Sequence, residues 1–178
     1  MTQISETNWI TRTAALLALL VGLQAATSAF GNTILTGTVV NLTLILAVMA
    51  CGIKAGLSVA LLSPIAAKLI GIGPLWSLLP FIAAGNLVLV LIWHVVGNQS
   101  WKYAHIAALI LAATAKFLVL FIGIVQFAVP LLLKLPEPQG TIISNLFSLP
   151  QLATALLGGA AALFILPLLR RALMKMNG

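Results

Sequence analysis

Long apolar runs separated by short polar breaks dominate the chain. A helix needs about 20 mostly apolar residues to cross a bilayer, and several of these runs approach or exceed that length. The breaks carry Gly, Pro, Asn or Lys, which disfavour continued helix or mark turns. The pattern predicts six membrane helices, at about 10–30, 36–51, 55–70, 78–96, 103–133 and 146–169.

The predicted fold class is an all-α integral membrane protein, a single membrane domain over residues 1–178. Only helices and closed barrels satisfy their backbone hydrogen bonds in lipid, and barrel strands are shorter and alternate in polarity. Composition agrees, since 62% of the 178 residues are hydrophobic and only 6% are charged. A soluble domain of this size carries far more surface charge.

The positive charges indicate an orientation. The nine Lys and Arg residues, against the two acids Glu6 and Glu137, are scattered, which favours topology signals over a nucleic-acid surface. With six helices and both termini in the cytoplasm, six cations fall at inner helix ends and only Lys68 and Lys134 toward the outside. The inner six are Arg12, Lys54, Lys102, Arg170, Arg171 and Lys175. The chain is therefore expected to cross the membrane several times, with both termini in the cytoplasm.

The sequence offers little for catalysis. It has no Asp, and both Glu lie outside the apolar runs, so paired carboxylates within the membrane are excluded. His94 and His105 fall short of a hydrolytic metal site, which needs three ligands and a base. No phosphate-binding glycine motif is present. We expect neither an enzyme nor a metal or covalently bound cofactor, and any ATP hydrolysis would belong to other subunits.

Neutral polar residues gather toward the predicted outer ends of the helices. They include Asn32, Asn41, Asn86 and Asn145, while Lys116 lies within the fifth predicted helix. A lysine at the bilayer centre costs about 2.5–3.5 kcal/mol on insertion scales, so it needs an interior partner or a ligand. Hydrogen bonds between helices would account for individual residues. A small-molecule cavity explains the group better.

A second pattern lies on the first predicted helix. Ala14, Ala18 and Gly22 recur every four residues and share one face. Small residues at this spacing let another helix approach closely, either within the bundle or from a partner.

Together these features resemble the substrate-binding S component of an energy-coupling factor (ECF) vitamin transporter. The resemblance covers nearly the whole chain: its length, six helices, and an Ala-x-x-x-Ala motif at Ala14 and Ala18 behind Arg12. Further stretches that resemble a subgroup of S components are Thr36-Gly37-Thr38-Val39-Val40-Asn41, Leu62-Ser63-Pro64, Gly71-Ile72-Gly73-Pro74 and Pro80-Phe81-Ile82-Ala83-Ala84-Gly85-Asn86.

The resemblance implies a division of labour. The S component would be a multi-pass protein of the bacterial plasma membrane that captures a vitamin at the extracellular face. A transmembrane coupling subunit (EcfT) and two cytoplasmic ATPases (EcfA and EcfA′) would drive uptake. The face of Ala14, Ala18 and Gly22 would then dock the coupling subunit.

The substrate is left open among several vitamins. The sequence most resembles the cobalamin-type S components of lactobacilli, and a largely neutral site with many amides suits cobalamin. Pantothenate is the alternative, since its carboxylate could pair with Lys68 or Lys116, and a membrane scaffold without a ligand is a third reading. The predicted substrate-binding residues are Asn32, Asn41, Lys68, Trp76, Asn86, Asn145 and Phe147.

Overall fold

The computed structural model describes the backbone of residues 6–176 and the side chains of residues 9–169 and 171. Its helices follow one another with short connections. They are α1 Glu6–Ser28, α2 Thr33–Cys51, α3 Ile53–Leu69, α4 Leu79–Gly97, α5 Ala104–Leu120, α6 Gln139–Leu146 and α7 Leu149–Met176. One 3₁₀ turn, Trp76–Leu78, precedes α4, and α5 continues as a π-helix over Phe121–Leu133. The described residues contain no strand, which confirms the all-helical prediction.

Five stretches are long and apolar enough to cross a membrane. They are Trp9–Ser28, Thr33–Cys51, Trp76–Gly97, Ala104–Leu133 and Gln139–Leu169. The remaining long helix, α3, has 17 residues. Many large apolar side chains face outward, among them Leu61, Ile110 and Phe164. Apolar exposure on this scale fits contact with lipid. The count of six spans and the cytoplasmic termini stay predictions, and the side chains of Arg170 and Lys175 lie outside the described set.

The connection before the last predicted helix differs most from the structure. Residues 134–145 were expected to form a polar connection, but Gln139–Leu146 folds as the separate helix α6. Pro138 directly precedes this helix, where a missing N–H costs nothing, so the proline begins a helix here instead of breaking one. Pro130 also does not end its helix, and it lies within the π-helical segment.

Helix α2 lies at the centre of the bundle, in contact with α1, α3, α4 and α7. Its approach to α7 depends on glycine. A methyl group at Gly158 would lie 2.7 Å from Cβ of Asn41 and 2.8 Å from the carbonyl oxygen of Thr38. A methyl group at Gly37 would lie 2.8 Å from the side chain of Thr154. These contacts bring Asn41 on α2 and Thr154 on α7 close together.

Candidate ligand-binding site

A cavity of about 410 Å³ opens at one end of the bundle. This end, called here the cavity end, carries the α1–α2 and α3–α4 connections and the segment between α6 and α7. Cavities of roughly 300–1,000 Å³ are typical of small-molecule sites. The walls combine apolar side chains such as Leu79, Ile82 and Phe147 with several amides and hydroxyls. A void of this kind inside a membrane bundle is suited to a ligand that is partly polar.

Lys116 of α5 lies deep in the cavity, with only 3% of its surface exposed. Its Nζ donates hydrogen bonds to Oδ1 of Asn41 at 2.5 Å and to Oδ1 of Asn86 at 2.8 Å. Both asparagines are themselves buried and line the same cavity. The buried lysine therefore has amide partners from α2 and α4, which accept hydrogen bonds from its Nζ but carry no negative charge.

Further hydrogen bonds hold the Asn41 side chain. Nδ2 of Asn41 donates to Oγ1 of Thr154 at 3.3 Å, and this hydroxyl donates to the carbonyl oxygen of Gln151 at 3.1 Å. Thr154 is 2% exposed and also lines the cavity. The network thus extends from α5 through α2 to α7.

Pro64 provides the acceptor that holds Asn86. A proline in a helix has no N–H for the carbonyl four residues earlier, and Pro64 lies inside α3. The carbonyl oxygen left without its helical donor is that of Ala60, and Nδ2 of Asn86 donates to it at 3.5 Å. In lipid such a freed carbonyl requires a substitute donor. A proline that looks disruptive in sequence thereby fixes a side chain of α4 against α3.

Two buried hydroxyls, those of Thr38 and Ser63, have no hydrogen-bond partner among the described residues, and Ser63 is the one that lines the cavity. It is 1% exposed and lines the cavity, and its Oγ finds no hydrogen-bond partner among the described residues. Most serines in helices donate to a carbonyl within their own turn or meet water, so a buried free hydroxyl needs an explanation. We refer to Asn41, Ser63, Asn86, Lys116 and Thr154 together as the floor cluster.

The mouth of the cavity is formed by less buried residues. Asn32 caps the start of α2, its Oδ1 accepting from the backbone N–H of Leu35 at 3.0 Å. Gln24 and Ser28 of α1 and Gln151 of α7 are half-buried around the same opening. The cavity therefore has a rim of neutral amides and hydroxyls above the floor cluster.

The structure brings four of the seven predicted substrate-binding residues together. Asn32, Asn41, Asn86 and Phe147 all line the cavity. Lys68, Trp76 and Asn145 are not among its lining residues. Lys68 contacts the cavity wall indirectly, since its Nζ donates to the carbonyl oxygen of Gly73 at 3.5 Å.

Trp76 is 55% exposed, and Asn145 is exposed at the end of α6. Trp76 begins the 3₁₀ turn before α4, and the side chain that this turn buries is Leu78.

Sequence reasoning left several lining residues out of the predicted site. Thr154 and Gln24 were not singled out, Ser63 was noted as a polar position, and Lys116 was considered only as one possible partner of a ligand carboxylate. The cost of a mid-membrane lysine was the signal that pointed to Lys116. No local signal pointed to Thr154, whose position depends on the packing of α7 against α2.

The predicted docking face on α1 is open in the structure. Ala14, Ala18 and Gly22 are all exposed, and no atom lies within 4 Å of a methyl group placed at Gly22. Packing among the described residues therefore leaves these three positions largely uncovered.

The described lining of the cavity contains one basic side chain and no acidic one. Lys116 is the one ionisable side chain among the residues described as lining it. Elsewhere in the described structure, no group of three His, Cys, Asp or Glu is placed to hold a metal ion. The arrangement is suited to binding a small polar molecule through hydrogen bonds and one cation. No protein-family model, curated protein or solved structure matches the chain, so this cavity carries the functional interpretation.

Proposed function

We propose that the chain is the substrate-binding subunit of a membrane transporter, of the ECF S-component type, which captures a water-soluble vitamin for ATP-driven uptake. The observation that carries the proposal is the cavity of about 410 Å³, with a buried polar floor, inside an otherwise apolar bundle. A scaffold protein gains nothing from such a void, because unfilled space loses packing contacts. A binding subunit requires it.

In this proposal the cavity end faces the outside of the cell. The turn at Lys54 and the connection at Lys102 lie at the opposite end, so they meet the cytoplasm, as the positive-inside rule favours. The ligand then enters from the outer side and rests within the outer half of the bundle.

The work of transport belongs to partner subunits. A membrane coupling protein of the EcfT kind would pack against the exposed face of Ala14, Ala18 and Gly22 on α1, since small residues allow close helix approach. Two cytoplasmic ATPases, EcfA and EcfA′, would supply the energy.

The size of the cavity favours a small vitamin. Cobalamin, with its corrin ring and nucleotide loop, is far larger than a cavity of about 410 Å³ encloses. It would require the connections around the mouth to move apart. Pantothenate is small enough to fit this volume, so among the vitamins considered from the sequence it agrees better with this geometry.

Isothermal titration of the purified chain against a vitamin panel tests the proposal. The panel contains pantothenate, nicotinate, biotin, lipoate, riboflavin, thiamine and cobalamin. We expect one of them to bind at micromolar concentration or tighter, on the order of −8 kcal/mol or better. Co-expression with a coupling subunit and ATPases is then expected to give uptake of that vitamin into cells.

The scaffold reading predicts the opposite outcome. Absence of heat with every vitamin, together with a stable and monodisperse protein, would contradict the proposed function. Strong binding of cobalamin would support the transporter role and would show that the mouth opens widely.

A further inference from the structure

The floor cluster has hydrogen-bonding capacity that the protein leaves unused. A protonated lysine carries three N–H donors, and Lys116 Nζ has two partners among the described residues. The Ser63 hydroxyl has none. Both residues are buried, and both line the cavity. A spare N–H on the protonated lysine and a free hydroxyl in the same cavity are what an acceptor-rich ligand group requires.

The two donors come from different helices, α5 and α3, and Asn86 connects these helices by hydrogen bonds. Lys116 Nζ is bonded to Oδ1 of Asn86, while Nδ2 of that asparagine is bonded to Ala60 on α3. Ser63 lies three residues after Ala60, so the two share a face of α3. Because helix carbonyls point toward the C-terminus and side chains lean toward the N-terminus, the Ser63 hydroxyl lies at about the depth of the carbonyl that holds Asn86.

The charge of the cavity lining determines which kind of ligand group it can accept. No acidic side chain is present among the residues described as lining the cavity, and both bonds to Lys116 Nζ come from neutral amides. A buried cation without a counter-ion is costly, and a ligand that supplies one negative charge removes that cost. A phosphate dianion would need a second cation or an arginine fork, and a cationic ligand would be repelled.

We infer that the cavity takes a small monocarboxylic acid, with its carboxylate against Lys116 and the hydroxyl of Ser63 at the floor. The inference rests on the proposed function and specifies the substrate class. The lysine and the acid together carry no net charge, whether they form an ammonium–carboxylate pair or a neutral amine and a neutral acid. This suits a site within the membrane. The neutral end of the ligand meets the amides at the mouth, and its middle meets the apolar wall around Ile82 and Phe147.

Acid and neutral analogues of the same size provide the test. Titration compares pantothenate with panthenol, nicotinate with nicotinamide, biotin with biotinamide, and lipoate with lipoamide. At least one acid is expected to bind about tenfold or more tighter than its neutral analogue, as hydrogen bonds to charged groups require. In Lys116→Met the ratio of the two affinities is expected to fall to roughly threefold or less. Lys54→Met, the matched change at an exposed lysine at the opposite end of the bundle, is expected to keep the wild-type ratio.

Ser63→Ala provides a second test, which does not depend on whether Lys116→Met folds. Its hydroxyl has no partner within the described protein, so removing it is not expected to lower the thermal unfolding temperature. Binding of the acid is nevertheless expected to weaken by about fivefold, with a smaller loss for the neutral analogue. Equal losses for both analogues would overturn the assignment of Ser63 to the carboxylate.

The outcomes separate the two proposals. A neutral analogue that binds as tightly as its acid, or thiamine, riboflavin or cobalamin as the one bound vitamin, would overturn the carboxylate inference and leave the transporter role standing. An acid preference that survives in Lys116→Met would also overturn it. Absence of binding by the whole panel would contradict both.

Discussion

The Nζ atom of Lys116 lies 2.5 Å from Oδ1 of Asn41, across the interface between α5 and α2. Both side chains are buried, and they come from positions 75 residues apart. This pair links the stability of the bundle to the shape of the cavity floor, because the same atoms that join the helices also line the ligand space.

A double-mutant cycle measures the energetic coupling between Lys116 and Asn41. Asn41→Leu leaves Lys116 with one amide acceptor instead of two, and we expect the free energy of unfolding to fall by roughly 1–3 kcal/mol. Lys116→Met leaves the oxygens of Asn41 and Asn86 without their donor and is expected to cost a similar amount. The double variant should lose less than the sum, by on the order of 1 kcal/mol, since two apolar groups can pack together. Unfolding in mixed detergent micelles gives these values, and additive losses would show that the two residues are not coupled.

Gly158 is predicted to be essential for the approach of α7 to α2. Gly158→Ala places a methyl group 2.7 Å from Cβ of Asn41, so the helices must separate. We expect a loss of roughly 1–3 kcal/mol in unfolding free energy and weaker ligand binding. Gly22→Ala is the matched control, because its methyl group meets nothing within 4 Å and alanine favours helix. Equal stability of the two variants would contradict the close-packing argument.

The face of α1 is expected to act in coupling and not in binding. Replacing Ala14 and Ala18 with Leu fills an exposed surface, so the affinity for vitamin measured on the isolated chain should not change. Uptake into cells that also express the coupling subunit and ATPases should be lost, because bulky side chains hold the partner helix away. Thr114→Leu, at an exposed position on α5, serves as the control and should retain uptake. Normal uptake by the Ala14 and Ala18 variant would move the docking surface elsewhere.

The connection between α3 and α4 is predicted to shape the mouth. Gly73 has φ +97° and lines the cavity, whereas Gly52 has φ +88° and joins α2 to α3 at the opposite end. An alanine at either position is strained by about 1–3 kcal/mol. Gly73→Ala should weaken vitamin binding severalfold, because the wall of the cavity shifts, and Gly52→Ala should leave binding unchanged. Titration of both variants checks this, and equal effects on binding would argue against a role for Gly73 at the mouth.

Much of the helical organisation could be predicted from the sequence. Runs such as residues 36–51 and 78–96 agree with α2 and α4 to within a few residues, because the length of an apolar run and the breaks around it are local properties. Helix α6 was missed, since eight residues between prolines and polar side chains carry a weak hydropathy signal. The prolines were read as breaks, whereas Pro138 stands directly before the helix.

The site was only partly predictable, for a reason particular to membranes. In water, the polar face of a helix reveals which side is buried, but in lipid the interior and the outer surface are both apolar. The sequence alone determined an all-helical, strongly apolar chain whose polar residues collect near one end, and it marked Lys116 as a residue in need of a partner. Only the tertiary structure decided that Asn41, Asn86 and Thr154 meet around that lysine and that Ser63 is left unpaired. These side-chain contacts depend on close packing between positions that are distant in sequence, such as Gly158 and Asn41, and no local pattern encodes such packing.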